Sequence, residues 1–119
     1  MKAYLKALVL GLFLVALNVT AQDMRVRWKD TGGREFSVSV YGGDFDYAIT
    51  PGDRIQRDYQ GRVIQVGDVV INYDYNSRVV RIGDVQIGYD YQRRVIQVGG
   101  LKIDYDYQNR VVGTRGSIK

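Results

Sequence analysis

The sequence predicts an all-β protein: an antiparallel meander of about ten short strands, built from 16-residue hairpin repeats and rolled into a barrel or closed sheet. Three observations carry this. The chain repeats at a period of 16: Asp58, Asp74, Asp90 and Asp106 are each followed by Tyr, and then by Arg62, Arg78, Arg94 and Arg110 and by Val63, Val79, Val95 and Val111. Between these markers apolar and polar residues alternate with the period of a strand, Val85, Ile87, Tyr89 and Tyr91 against Gln86, Gly88 and Asp90. Glycines recur every few residues, with Gly67, Gly83 and Gly99 on the same ruler, which disfavours helix and supplies tight turns.

Residues 1–21, MKAYLKALVLGLFLVALNVTA, read as a secretory signal peptide. Lys2 and Lys6 give a positive start, an apolar run follows from Ala7 to Leu17, and Val19 and Ala21 suit the signal-peptidase pockets, so cleavage is expected before Gln22. The run is short of the ~20 apolar residues a membrane span needs, so no transmembrane span is expected in the mature chain. The implied compartment is the periplasm or the outside.

Residues 22–57 form an N-terminal β segment of degenerate repeats. MRVRW offers Val26 and Trp28 to one face, Lys29 to Gly33 is a turn, and REFSVSVYG alternates Phe36, Val38 and Val40 against Ser37 and Ser39. Ala48 to Arg57 holds the single proline, Pro51, in the turn signal TPGD.

Residues 58–113 are the repeats proper, and 114–119 a C-terminal tail. Each unit reads as two strands, RVIQV (Arg62 to Val66) and VVINYDY (Val69 to Tyr75) in the first, joined by Gly67-Asp68. A glycine leading a two-residue loop suits a type II′ hairpin turn, and Gly99-Gly100 also permits type I′. Such turns keep Ile82 opposite Val85 and Val80 opposite Ile87. The other loop, Asn76-Ser77 between Tyr75 and Arg78, is expected to be even, because an odd loop would turn Val80 and Ile82 to the polar face. Both tyrosines of each Tyr-Asp-Tyr then extend the apolar face, the arginine stacks on them, and the aspartate faces away and holds the turn amides. Val63, Val79, Val95 and Val111 form a minor row on the polar face. An apolar face needs cover; closure into a barrel or roll provides it and removes exposed edges, whereas folding onto the N-terminal strands or staying an open sheet are the alternatives.

The chemistry is bounded by what the chain contains. Lys2 and Lys6 supply half of the formal charge of +4, and the other basic residues are interleaved with acids, so nucleic acid is not an expected partner. There is no Cys and no His, hence no disulfide and neither the usual general base nor the commonest zinc ligand. No catalytic residue, metal site or cofactor is expected, and the chain reads as a non-enzyme. Asp104 and Asp106 with Asp90 are the carboxylates a calcium ion or acid-base chemistry would use. Successive repeat aspartates, however, stand two strands and nearly 10 Å apart, too far for one ion to bridge, and read as solvated or Arg-paired. A membrane barrel needs strands of about 9–11 residues, longer than these. What remains is a structural or binding role in the cell envelope or outside. The candidate ligand surface is the tyrosine rows Tyr73 and Tyr75, Tyr89 and Tyr91, Tyr105 and Tyr107, whose rings can stack on sugars. A polysaccharide or an envelope protein is the expected partner, as for a carbohydrate-binding module or an inhibitor or subunit of another protein.

The units YDYNSRVVRIG and YDYQRRVIQVG, and DYQGRV at Asp58 to Val63 above all, resemble the YD repeat of bacterial Rhs-type and teneurin shells. The likeness covers about Asp58 to Val112, and Gly61 stands at the motif's glycine where Ser77, Arg93 and Asn109 stand in later units. The VGDVxIxYD rhythm also resembles small secreted proteins of Bacteroidetes and related bacteria. Both resemblances imply a β-meander and bacterial export; neither implies an active-site residue.

Overall fold

The computed structural model describes residues 24–119; the signal peptide expected at 1–21 lies outside the described residues. Three strands open the fold, β1 (Arg25–Lys29), β2 (Glu35–Ser39) and β3 (Phe45–Tyr47), paired antiparallel in the order β1-β2-β3. Eight more follow: β4 (Ile55–Arg57), β5 (Val63–Val66), β6 (Val69–Tyr73), β7 (Val79–Ile82), β8 (Val85–Tyr89), β9 (Val95–Val98), β10 (Leu101–Tyr105) and β11 (Val111–Arg115). They form one antiparallel meander in chain order. β4, which lies within the expected N-terminal segment, thus belongs to the large sheet. Gly67 donates to the Arg54 carbonyl just as Gly83 donates to Val70 and Gly99 to Gln86, so β4 fills the place of a repeat's second strand.

The expected closure into a barrel does not occur: β4 and β11 are the unpaired edges of an open sheet. The cover comes instead from the small sheet. Trp28, Phe36, Val38 and Val40 share one core cluster with Val66, Ile71, Ile82, Val85, Ile87, Val98 and Ile103 of the large sheet. Two facing layers bury the apolar face without the strand tilt that closure demands.

The two loops of each unit differ. At Gly67-Asp68, Val66 pairs with Val69, and Gly67 has φ 58° while Asp68 is not left-handed, the pattern of a type II′ turn. Gly83 and Gly99 follow suit, at 61° and 58°. At the other end the loop is odd, correcting the even loop inferred from the pattern. Asp74 donates its amide to Arg78 and accepts from Ser77, which leaves three residues, Tyr75, Asn76 and Ser77, at the tip with Ser77 at φ 65°. This is the three-residue hairpin with a left-handed last residue.

Parity is restored by a bulge. Asn72 pairs with Arg81 but Tyr73 pairs with Val79, so Val80 is the extra residue; the same shift recurs between Gln56 and Arg57, Gly88 and Tyr89, and Asp104 and Tyr105. The bulge therefore turns Val79 inward. Val63, Val79 and Val95 are core residues and Val111 packs half-buried against them, rather than forming a minor row on the polar face; Val80 is only half-buried, while Ile82 stands opposite Val85 as expected. It also frees the Val95 amide, which donates to the Val40 carbonyl at 2.8 Å and joins the two sheets where Tyr41 bridges Arg94.

Candidate functional site

Each loop at the odd end is built around its aspartate. Asp90 Oδ1 accepts the amides of Gln92 and Arg94, both at 2.9 Å, and Oδ2 accepts Arg94 Nε at 2.7 Å. Asp58, Asp74 and Asp106 repeat this set with their own arginines. At Asp58, Asp74 and Asp90 burial pushes the carboxyl up, but the turn amides and the guanidinium outweigh it and hold it below the usual carboxylate range. At Asp106 the Arg110 amide leads to the same result.

The arginine then reaches across its own hairpin to the second strand. Arg62 lies 4.7 Å from the centroid of the Tyr73 ring, Arg78 4.6 Å from Tyr89, and Arg94 4.3 Å from Tyr105. The hydroxyls of Tyr73 and Tyr89 donate back to the carbonyls of Val63 and Val79 at 2.7 and 2.6 Å, and that of Tyr105 donates to Val95. Asp, Arg and Tyr thus form a stack that ties each unit to its neighbour. Burial pushes the Tyr89 phenol up to about 12 and raises Tyr73 and Tyr105 in the same direction. These three tyrosines, expected in the ligand platform, are half-buried: one face of each ring lies under a guanidinium and the hydroxyl is hydrogen-bonded to a backbone carbonyl.

The second tyrosine of each motif has the opposite fate. Tyr75, Tyr91 and Tyr107 are 97%, 92% and 95% exposed, which corrects their placement on the apolar face. Each stands at the first position of its three-residue tip, beyond the last strand residue, so strand alternation does not govern where it points. Tyr59, 95% exposed, is a fourth member that the sequence-based platform omitted. Its signal was the same Asp-Tyr ruler, overlooked because Arg57 replaces the first tyrosine there. Beside each ring is an exposed amide residue: Gln60, Asn76, Gln92 and Gln108. The site is therefore a row of four ring-and-amide pairs across the strand ends at one end of the large sheet.

Other polar groups are internally matched. Asp104 accepts Arg115 Nε at 2.9 Å and so does not share an ion with Asp106, which holds Arg110. A cleft of about 300 Å³ lies between the β1–β2 loop and the Gly-Asp turns, floored by Trp28, Phe36 and Ile82. Arg34 at its rim bridges Asp53 at 3.0 Å and Asp68 at 3.1 Å. Among the described residues no group of three or more acidic, His or Cys side chains is placed to hold a metal, and no helix is long and apolar enough to cross a membrane. No family model matches the chain, and no curated protein or solved structure is similar to it.

Proposed function

We propose that this chain is an exported bacterial β-repeat protein that binds a partner in the cell envelope or outside, without catalysis, and that its working surface is the row Tyr59, Tyr75, Tyr91 and Tyr107. The observation that supports this reading is the division of labour within each Tyr-Asp-Tyr. One ring is half-buried and bonded, while the other is held almost wholly in solvent at the same place in every unit. Large exposed aromatic surface is unfavourable in water, and where it recurs in order it marks an interaction surface. Ring and amide side by side suit a polysaccharide better than a flat protein contact, since ring faces stack on sugars and amides both donate to and accept from hydroxyls.

The test is a pull-down of the exported protein on peptidoglycan and insoluble polysaccharides beside Tyr91→Ala and Tyr107→Ala, with circular dichroism showing that the variants fold. Binding is expected to fall in both. Retention of the variants at the level of the parent protein on every binding surface would refute the tyrosine row as the working surface.

A further inference from the structure

We infer that the tyrosine row takes a neutral, extended β-1,4-linked glycan in register, one tyrosine for every two sugars; this rests on the binding reading above. The row is a ruler because the fold makes it one. Successive exposed tyrosines are one unit apart, a unit is two strands of the large sheet, and strands lie about 4.8 Å apart, so the rings recur every ~9.6 Å. In an extended β-1,4-linked chain, successive sugars are flipped. The same sugar face therefore recurs at every second residue, a step of closely similar length. Four rings would engage four such faces.

The alternatives fit less well. An extended peptide repeats its side chains on one face every ~6.7 Å and falls out of step with the rings within one unit. A nucleic acid or anionic polymer needs a free cation for each step. The row does not offer one at every step: Arg62, Arg78 and Arg94 are each committed to their own aspartate and to a tyrosine ring, and the exposed Arg93 stands at a single tip. The carboxylates Asp58, Asp74, Asp90 and Asp106 are likewise occupied, so the polar group that recurs beside every ring is the amide of Gln60, Asn76, Gln92 and Gln108. Neutral hydroxyl-bearing ligands suit that set. The sheet twists by about 20–25° per strand. With one strand per sugar, small changes of the glycosidic torsions let a glycan ribbon follow the row, whereas a tightly coiled α-linked chain does not present one face along it.

Each ring contributes little alone, and linked contacts multiply. The experiment is therefore a length series. Chito-oligosaccharides and cello-oligosaccharides of two to eight sugars, with α-1,4-linked malto-oligosaccharides as the contrast, are titrated calorimetrically into the exported protein and into Tyr91→Ala. Affinity is expected to climb with each added disaccharide in a β-1,4 series, by on the order of 100-fold from two sugars to eight, while the α-linked series stays flat. Which β-1,4 series climbs further tells whether N-acetyl groups are read. Tyr91→Ala interrupts the row in its middle and is expected to reduce the octasaccharide to the affinity of a shorter chain. Affinity independent of length, equal binding of the α-linked series, or no binding of either β-1,4 series overturns this inference. If a polymer of another class then binds and is lost in Tyr91→Ala, the inference is overturned while the tyrosine row stands as the binding surface. Binding indifferent to Tyr91 overturns both.

Discussion

Arg93 adopts φ 68°, a left-handed conformation that Gly61 takes at 83° in the first unit. The tip loop imposes this backbone whatever side chain stands there, because the residue before the arginine must turn the chain back into the ladder. A non-glycine residue in that region is strained by about 1–2 kcal/mol, of which the greater unfolded-state entropy of glycine returns roughly half. Ser77 and Asn109 recover part of their strain by accepting from Arg62 and Arg94 at 3.1 and 2.9 Å. Arg93 is therefore the position to relieve. Arg93→Gly is expected to stabilise the protein by about 0.5–1 kcal/mol, read as a rise of a few degrees in the melting temperature. The half-buried tyrosines set an alkaline limit. Burial raises Tyr89 from 10 to about 12, so the native state favours the neutral phenol. Its contribution is complete below pH 10 and is lost as pH rises through 12, when the phenolate forms more readily in the unfolded chain. Melting temperature should thus fall between pH 10 and 12, and the fall should be shallower in Tyr89→Phe.

The hairpin unit works because two irregularities cancel. An odd tip loop by itself would turn the following strand over, and the bulge at Val79-Val80 turns it back after one residue. The strand thereby keeps Ile82 in the core and gains Val79 as a second core residue, both nearly inaccessible. Strand β8 shows how sharply the faces are separated: Val85 and Ile87 are buried while Gln86 between them is exposed. Ile87→Asp places a carboxylate in that core and is expected to abolish cooperative unfolding, whereas Gln86→Glu should stay within about 0.5 kcal/mol of the parent protein. Thermal melts followed by circular dichroism check both, and similar melts for the two would contradict this assignment of faces.

At the level of the molecule, stability depends on the small sheet covering the large one. Phe36 is 1% exposed and touches both layers of the core, between Trp28 and Phe45 on its own sheet and beneath the Gly-Asp turns of the other. Phe36→Ala is expected to cost about 3–5 kcal/mol, a large share of a small domain's total. Trp28, the single tryptophan, makes a sharper test possible. Its fluorescence follows the small sheet and far-ultraviolet dichroism follows mainly the large one. The two denaturant transitions should coincide and shift together in Phe36→Ala. Separate transitions would mean that the sheets unfold independently. The meander also places all four tip loops at one end of the large sheet, so the tyrosine row runs across the strand ends, away from the covered face.

Much of this was legible in the residues alone. The Asp-Tyr ruler, the two-residue alternation and the leading glycines specify an antiparallel meander and its register at the Gly-Asp turns, because strand pairing there depends on local turn chemistry and a period of two. The aspartate's hold on the turn amides was legible for the same reason, being local; the ring on which the arginine stacks was not, since Arg78 stacks on Tyr89 across its own hairpin and not on the Tyr73 and Tyr75 that precede it. The fate of the two tyrosines was not. Tyr89 and Tyr91 look alike in a pattern of period two, and what separates them is that the second has left the strand for the tip loop. The bulge was hidden too, since one unpaired residue costs the pattern nothing and two valines in succession fit either face. Above all, how the apolar face is covered was open, because a barrel and a two-layer packing bury the same residues. That choice depends on long-range contact between Phe36, Val38 and Val40 and strands far along the chain, which only the tertiary structure decides.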